Sequence, residues 1–498
     1  MKKIIIPSKK YFNQAYKIIK NVSKFNEEPY NIFYHMIYKL FYKTPKLDQL
    51  VFNQTKQGKF KISDGTSDYK TFKPYIQQLI RDFKNHTYYR SYNGSLGNIE
   101  ARQSVAYMEN VKFKKNIYSF QNVALTEGST GAISQIFEFI KRKYPRSEII
   151  IGSPTYYIYK YSAKFYNLKF IEALGIKKMN DRITSFDPIP DILNKINKNI
   201  KLIVLTLPAN PSSQVYKKKE LRTLIYECKK NNILLLIDEL FSDLIYQDNF
   251  FVQTDTIANK IDALDNLVIV KGFSKSKNLA GLRIGYLVSK NKILIEEITK
   301  ISEQRQCFTS SSCFTGLISL DCFIQSIRQA ISDYQDLNLL TNNLKNDFDK
   351  FSSTIRSYSC SDLTKIYFKY KKYSIKLKNY YSQYYDEVIL ILNQNIESAT
   401  PKITAFNTFI KIKDLDSVNF FDFCVNFYLT CNIVTQIGPC FAFDQKRWEN
   451  DDTLGFWLRI SYARENKKLF IKSLQLFNEF KNLYLKYPSK FLKTNLSF

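Results

Sequence analysis

The segment Gly272-Phe273-Ser274-Lys275-Ser276-Lys277-Asn278-Leu279-Ala280-Gly281-Leu282-Arg283-Ile284-Gly285-Tyr286 decides how the rest of the chain is read. An apolar run at 267–270 leads into it and reads as a buried strand. Lys275 therefore falls just past a strand end, where its amine can condense with an aldehyde. Arg283 follows eight residues later between two glycines, at a spacing suited to clamping that aldehyde's phosphate. Read locally, the same residues could be a basic turn with incidental glycines. Lys277 lies six residues before Arg283 rather than eight and is not expected to carry the chemistry.

Outward from this segment, apolar runs alternate with helix-length stretches from residue 121 onward. Runs at 122–126, 148–152, 168–173, 202–207, 233–237, 267–270 and 284–288 are predicted strands, and 132–143 and 219–230 are predicted helices. Such alternation predicts an α/β protein with a mostly parallel sheet, helices on both faces, and a smaller α/β domain beside it. The expected divisions are an N-terminal helical extension at 1–60, a large cofactor-binding domain at 61–310, and a small domain at 311–498. That small domain carries an extra tyrosine-rich segment near 352–401, read as an inserted lobe, a partner surface or an elaborated edge. Open sheets of this kind bind ligands outside the carboxyl ends of their strands, so the other reactive groups are sought there.

Six candidates stand at such positions. Asp238 ends the run 233–237, where a helix-capping acid is the ordinary alternative. Asn210 lies in Pro208-Ala209-Asn210-Pro211, which could be a plain turn. Gly128-Ser129-Thr130-Gly131 joins a strand to a helix, and free N–H groups at a helix start attract anions. Tyr156 follows the strand ending at Gly152. Tyr92 and Arg102 flank Gly97 in a Tyr-x4-Gly-x4-Arg pattern. Arg459 lies in an apolar segment after Gly438-Pro439-Cys440-Phe441 and could grip a carboxylate with two parallel hydrogen bonds.

In this order and spacing the motifs resemble class I/II aminotransferases, pyridoxal-phosphate enzymes of fold type I, over about residues 62–470. The resemblance implies pyridoxal 5'-phosphate joined to Lys275 as a Schiff base. It implies that Asp238 faces the ring nitrogen, Asn210 the ring hydroxyl oxygen and Tyr156 the ring face. Ser129, Thr130 and Arg283 would hold the phosphate, and Arg459 the substrate α-carboxylate. Tyr92 would reach the phosphate of the neighbouring subunit's cofactor, so a homodimer with shared sites is expected. Lys275 and Asp238 are the expected catalytic pair. Three positions depart from the family pattern. Phe241 replaces a tyrosine that would donate to the ring hydroxyl oxygen, Gly272 replaces a phosphate-binding serine, and Ser212-Ser213 follows the Asn-Pro pair.

The activity expected is transfer of an amino group between an amino acid and a 2-oxo acid. The Phe241 departure keeps a lyase, cyclase or decarboxylase reading open, and a non-catalytic regulator built on the same fold is a further alternative. The net charge of +29, from 74 basic and 45 acidic residues among 498, could attract nucleic acid or anionic lipid. The basic residues are spread along the chain, and Lys, Ile, Asn, Tyr and Phe are inflated together, so the charge is read as compositional bias and nucleic-acid binding is not expected. Eight cysteines without Cys-x-x-Cys pairs and only two histidines, His35 and His86, argue against a metal site. No membrane span is expected, and a cytoplasmic location is.

Overall fold

The computed structural model describes residues 4–23, 32–85, 88–179, 182–247, 250–404, 406–442, 448 and 454–494. His86 and the side chain of His35 lie outside the described residues. Helices α1 (Lys9–Ser23), α2 (Ile32–Tyr42) and α3 (Pro45–Thr55) precede a two-residue strand β1 (Phe60–Lys61), and α4 (Lys73–Asn85) and α5 (Ile99–Val111) follow. Then come β2 (Val123–Glu127), β3 (Glu148–Ser153), β4 (Lys169–Leu174), a ribbon of β5 (Ile176–Met179) and β6 (Arg182–Phe186), β7 (Ile200–Thr206), β8 (Leu234–Asp238), β9 (Leu267–Gly272) and β10 (Ile284–Ser289). The intervening helices are α6 (Gly128–Lys143), α7 (Ile158–Phe165), α8 (Ile189–Lys195), α9 (Lys218–Lys230) and α10 (Thr254–Lys260).

Seven strands form one sheet in the order β2-β10-β9-β8-β7-β3-β4, and only β10 runs against the rest. All seven expected strands are present, with ends within two residues of those read from the sequence. The side-chain period of two separates the faces. Ile149, Ile151, Leu202, Val204, Leu236 and Val270 pack with Ile133, Phe137 and Ile140 of α6 on one face. Ile150, Ile203, Leu205, Leu235, Ile237 and Ile269 pack with Leu221 and Leu224 of α9 on the other. Strands buried on both faces must be apolar throughout, which is why they appeared in the sequence as unbroken runs.

Beyond the sheet lie α11 (Lys292–Gln306), α12 (Thr315–Ala330), α13 (Leu337–Phe348), α14 (Ser353–Arg356) and the 33-residue α15 (Cys360–Leu392), about 50 Å long at helical rise. Helical periodicity shows that such segments are apolar on one side but not which core receives that side. The expected change of domain at 311 is corrected accordingly. Leu317, Leu320, Phe323 and Ile327 of α12 share a core with Val105 of α5 and Tyr286 of β10. The stretch near 352–401 is likewise no separate lobe. Leu363, Tyr367 and Tyr370 of α15 enter that same core, whereas Tyr381, Tyr384 and Val388 enter a second one. The helix is a strut between the two.

The second core surrounds a four-stranded antiparallel sheet, β11 (Ile396–Ala399), β12 (Asn407–Ile412), β14 (Gln436–Ile437) and β15 (Trp457–Ser461), in the order β11-β12-β15-β14. A two-residue β13 (Ile433–Val434) pairs with β1, and α16 (Phe420–Cys431) packs below. The helices read as an N-terminal extension are built into this core, with Tyr11, Ile19, Phe41 and Val51 buried among Phe423, Phe427 and Phe480. Among the described residues no single helix is long and apolar enough to cross a membrane.

Candidate active site

The carboxyl ends of β2, β3, β7, β8 and β9 point to one crevice, and the second sheet closes it from the opposite side. The cavity holds about 360 Å³ and is lined by Lys275, Asp238, Ser129, Thr130, Tyr156, Asn210, Arg283 and Arg459. Eight of the nine residues singled out from the sequence thus meet in one place. Tyr92 does not. It is 83% exposed, with its ring edge-on to Phe308 at 4.9 Å.

Lys275 donates from Nζ to the Gly65 carbonyl at 2.6 Å. Burial removes water from its ammonium and lowers its pKa to about 8. Arg459 and Arg283 push in the same direction, while Asp64 and Asp238 oppose them. The amine can therefore lose its proton near neutral pH, as a nucleophile or a base must.

Asp238 is 3% exposed at the end of β8. Tyr159 donates its hydroxyl to Oδ2 at 2.8 Å, and the Leu240 backbone N–H donates to Oδ1 at 3.1 Å. Burial raises the Asp238 pKa to about 6, and these two donors and Lys275 hold it from rising further. A cation placed against this carboxylate would favour its charged form.

The start of α6 meets Arg283. Gly128 has φ +69°, and a Cβ there would stand 2.7 Å from Arg283 Nη2. A Cβ on Gly285 would stand 2.4 Å from the Gly128 carbonyl carbon and 2.7 Å from the Ser129 nitrogen. The two glycines therefore let a guanidinium, a helix N-terminus and the Ser129 hydroxyl crowd into one pocket, a donor set suited to a phosphate. Arg283 itself donates from Nη1 to the Ala280 carbonyl at 3.1 Å.

Arg459 sits on β15 opposite Gln436 of β14. It is 8% exposed rather than on the surface, donates to Asn210 Oδ1 at 3.1 Å, to the Ser63 carbonyl and to Gln436 Oε1, and lies 4.9 Å from the Phe441 ring. With its Oδ1 engaged, Asn210 keeps its amide nitrogen as a donor for the cavity. Phe241 is buried and packs edge-on to Phe406 at 5.7 Å, so its position supplies no hydroxyl.

The sequence reading missed Tyr159, Ser63, Asp64, Gly65, Gln436 and Phe406. Tyr159 follows Tyr156 by three residues, in the first turn of α7, but 36 tyrosines in the chain hide that signal. Gly65 is named by an Asp-Gly turn at 64–65, although nothing local says that its carbonyl faces Lys275.

Lys277 belongs elsewhere. It is 3% exposed and paired with Asp243 and Asp321, both at 3.0 Å. Burial works against its charge, but the two carboxylates outweigh burial and hold its pKa above the usual lysine value. Lys277, with Lys271 and Glu239, lines a larger cavity of about 800 Å³ that shares Leu240 with the first. Its half-buried cations are matched by carboxylates, Lys271 with Glu109 and Glu239, and Arg328 with Asp243, whereas the strand ends converge on the smaller cavity.

The smaller cavity offers an amine for an aldehyde, a buried carboxylate for a ring cation, a phosphate cradle and an aromatic wall, so its residues fit pyridoxal phosphate. The comparisons agree with this geometry. Residues 58–363 match the family model described as aminotransferase class I and II. An aspartate aminotransferase of Thermotoga maritima is 26% identical over 285 residues, covering 56% of this chain and 71% of the relative. An aspartate aminotransferase of Sulfolobus acidocaldarius is 28% identical over 262 residues, covering 52% of this chain and 62% of the relative. Among solved structures, N-succinyldiaminopimelate aminotransferase from Mycobacterium tuberculosis superposes with a TM-score of 0.67 at 12% identity, over 88% of this chain and 96% of that one. That last likeness is one of fold.

Proposed function

The chain belongs to the aminotransferase class I and II family, and on that footing we propose that it moves an amino group between an amino acid and a 2-oxo acid. The observation that carries this reading is a single cavity holding an amine of lowered pKa, a buried carboxylate and a buried guanidinium. Bound pyridoxal phosphate would supply an aldehyde that condenses with amines and a ring that takes up the electron pair left on a deprotonated carbon.

The chain's own residues would do the rest. Ser129, Thr130, the N–H groups at the start of α6 and Arg283 hold the phosphate. Tyr156 covers the ring, and Asn210 donates its amide to the ring oxygen. Asp238, charged and fixed by Tyr159, keeps the ring nitrogen protonated. Arg459 grips the substrate carboxylate and so orients the Cα–H bond toward Lys275. Lys275, once free of its own proton, takes the proton from Cα as a base and returns it one position away as an acid.

The test is a product assay on the enzyme loaded with pyridoxal phosphate. One half-reaction with an amino acid alone should release a 2-oxo acid and leave the cofactor aminated, with turnover only after a second oxo acid is added. Regeneration of the original cofactor spectrum without an oxo acid would instead identify a lyase or decarboxylase, the reading that the Phe241 departure keeps open.

We further propose a homodimer in which Tyr92 completes the partner's phosphate site. Two features support it. Tyr92 is almost fully exposed beside Phe308, and α4 turns Ile76, Ile80 and Phe83 outward at 40%, 51% and 51% exposure. An apolar helical face left in water is a mark of an interface. Tyr92→Phe should loosen cofactor retention roughly ten- to a hundred-fold, the worth of one charge-assisted hydrogen bond. Mixing that variant with Lys275→Ala should restore tight retention in one site per dimer. A monomer in sedimentation, or tight retention in Tyr92→Phe alone, would refute the shared site.

A further inference from the structure

Helix α2 lies before the family-matched residues 58–363 and yet forms a wall of the active-site cavity. Met36, Ile37, Leu40 and Phe41 are buried in the core of the second sheet, with the Phe41 ring 4.6 Å from that of Tyr428. Anchoring through those residues leaves Tyr38 and Tyr42, one turn apart, to line the cavity. Their rings stack at 5.4 Å and 26°. Tyr42 lines the cavity together with Ser63 and lies in the field of Asp64 and Arg459, so it stands near the group assigned to the substrate carboxylate. Phe406 continues the apolar lining and has Lys275 Nζ 5.9 Å from its ring centre.

The charges lining the cavity are few. Among the described residues they are Lys275, Arg283, Arg459, Asp64 and Asp238. Each cation already has a role: the aldehyde, the phosphate and the α-carboxylate. Among the described residues of the lining, a second carboxylate on the substrate would find no further cation and would meet Asp64. A cationic side chain fares little better. Asp64 Oδ1 already accepts from the Thr66 N–H at 3.0 Å and its hydroxyl at 2.9 Å, and the three cations of the lining outnumber its two carboxylates. Uncharged aromatic surface is what the wall has to offer.

Resting on the aminotransferase reading above, we infer that Tyr38 and Tyr42 form an aromatic clamp selecting a substrate with an aromatic side chain, in preference to a dicarboxylic or a basic one. Aromatic rings prefer one another in stacked or edge-on contacts at these distances, and burying such a ring removes much apolar surface from water.

Binding of unreactive carboxylates tests the clamp without any amino transfer. The enzyme loaded with pyridoxal phosphate is titrated calorimetrically with 3-phenylpropionate, succinate and 5-guanidinopentanoate. The expected result is that 3-phenylpropionate binds at least about tenfold more tightly than either of the others. Tyr42→Phe, which keeps the ring, should preserve that preference, and Tyr38→Leu combined with Tyr42→Leu should erase it. Tighter binding of succinate or 5-guanidinopentanoate, or an unchanged preference in the double variant, would overturn the clamp. If the double variant does not fold, Tyr38→Leu alone decides, with a loss of preference of about threefold or more expected and none overturning the clamp. Because these ligands carry no transferable α-amino group, a failure of the clamp is separate from a failure of the half-reaction assay.

Discussion

Lys275→Ala is expected to take up pyridoxal phosphate without forming a borohydride-reducible bond and to have no measurable amino transfer. Among the described residues Lys275 is the one lysine that lines the cavity, and burial brings its pKa down to about 8. Capture of the aldehyde by the protein stripped of cofactor should follow that value. The reactive form is the neutral amine, so the capture rate should climb about tenfold per pH unit below 8 and level off above it. An unperturbed lysine would keep climbing to about pH 10.4. The control is Lys277→Ala. Removing that ammonium leaves the buried Asp321 without its cation while Asp243 keeps Arg328, a loss of about 3–5 kcal/mol, so the variant should melt earlier yet still form the reducible bond when folded. A reducible bond in Lys275→Ala, or its loss in folded Lys277→Ala, would contradict the assignment. The two lysines are two residues apart in sequence and share one backbone turn, so the contrast isolates the side chain's surroundings.

That contrast also marks what sequence could and could not show. The strands were legible because burial on both faces demands unbroken apolar runs, and each reactive candidate was legible because it follows such a run. Lys277 looked like part of an exposed basic turn because its partners Asp243 and Asp321 lie 34 and 44 residues away, and no local pattern announces them. Tyr38 and Tyr42 fell unremarked within the N-terminal helical extension for the same reason. Their helix is amphipathic, but the face turned from the core meets an active site instead of water. The domain change expected at 311 failed on a further point. An apolar helix such as α12 states that it must be buried and leaves open where, and only the packing of α5 and β10 against it answers that.

The larger electronic effect is expected from Asp238. Asp238→Ala should keep its fold, since Tyr159 retains a hydrogen bond to the Thr206 hydroxyl at 2.8 Å and the strand β8 is otherwise apolar. Cofactor capture by Lys275 should persist, giving a reducible bond. Turnover should fall by about 10³-fold or more, because a ring nitrogen left without its anion loses its proton and with it most of the ring's capacity to hold the carbanion electrons. Asp238→Asn separates charge from shape. The amide fills the same space between Tyr159 and the Leu240 N–H, so activity near that of Asp238→Ala would assign the effect to charge. Activity within tenfold of the parent protein in either variant would mean that the ring is polarised by another group. The position of the carboxylate argues against that outcome. Burial outweighs its two donors and Lys275 and leaves its pKa at about 6, which means that the site holds this anion at a cost in the absence of a closer counter-ion. A protonated ring nitrogen set against Oδ1 or Oδ2 would remove the cost and hold both charges together, so the same burial that disfavours a lone carboxylate strengthens the pair.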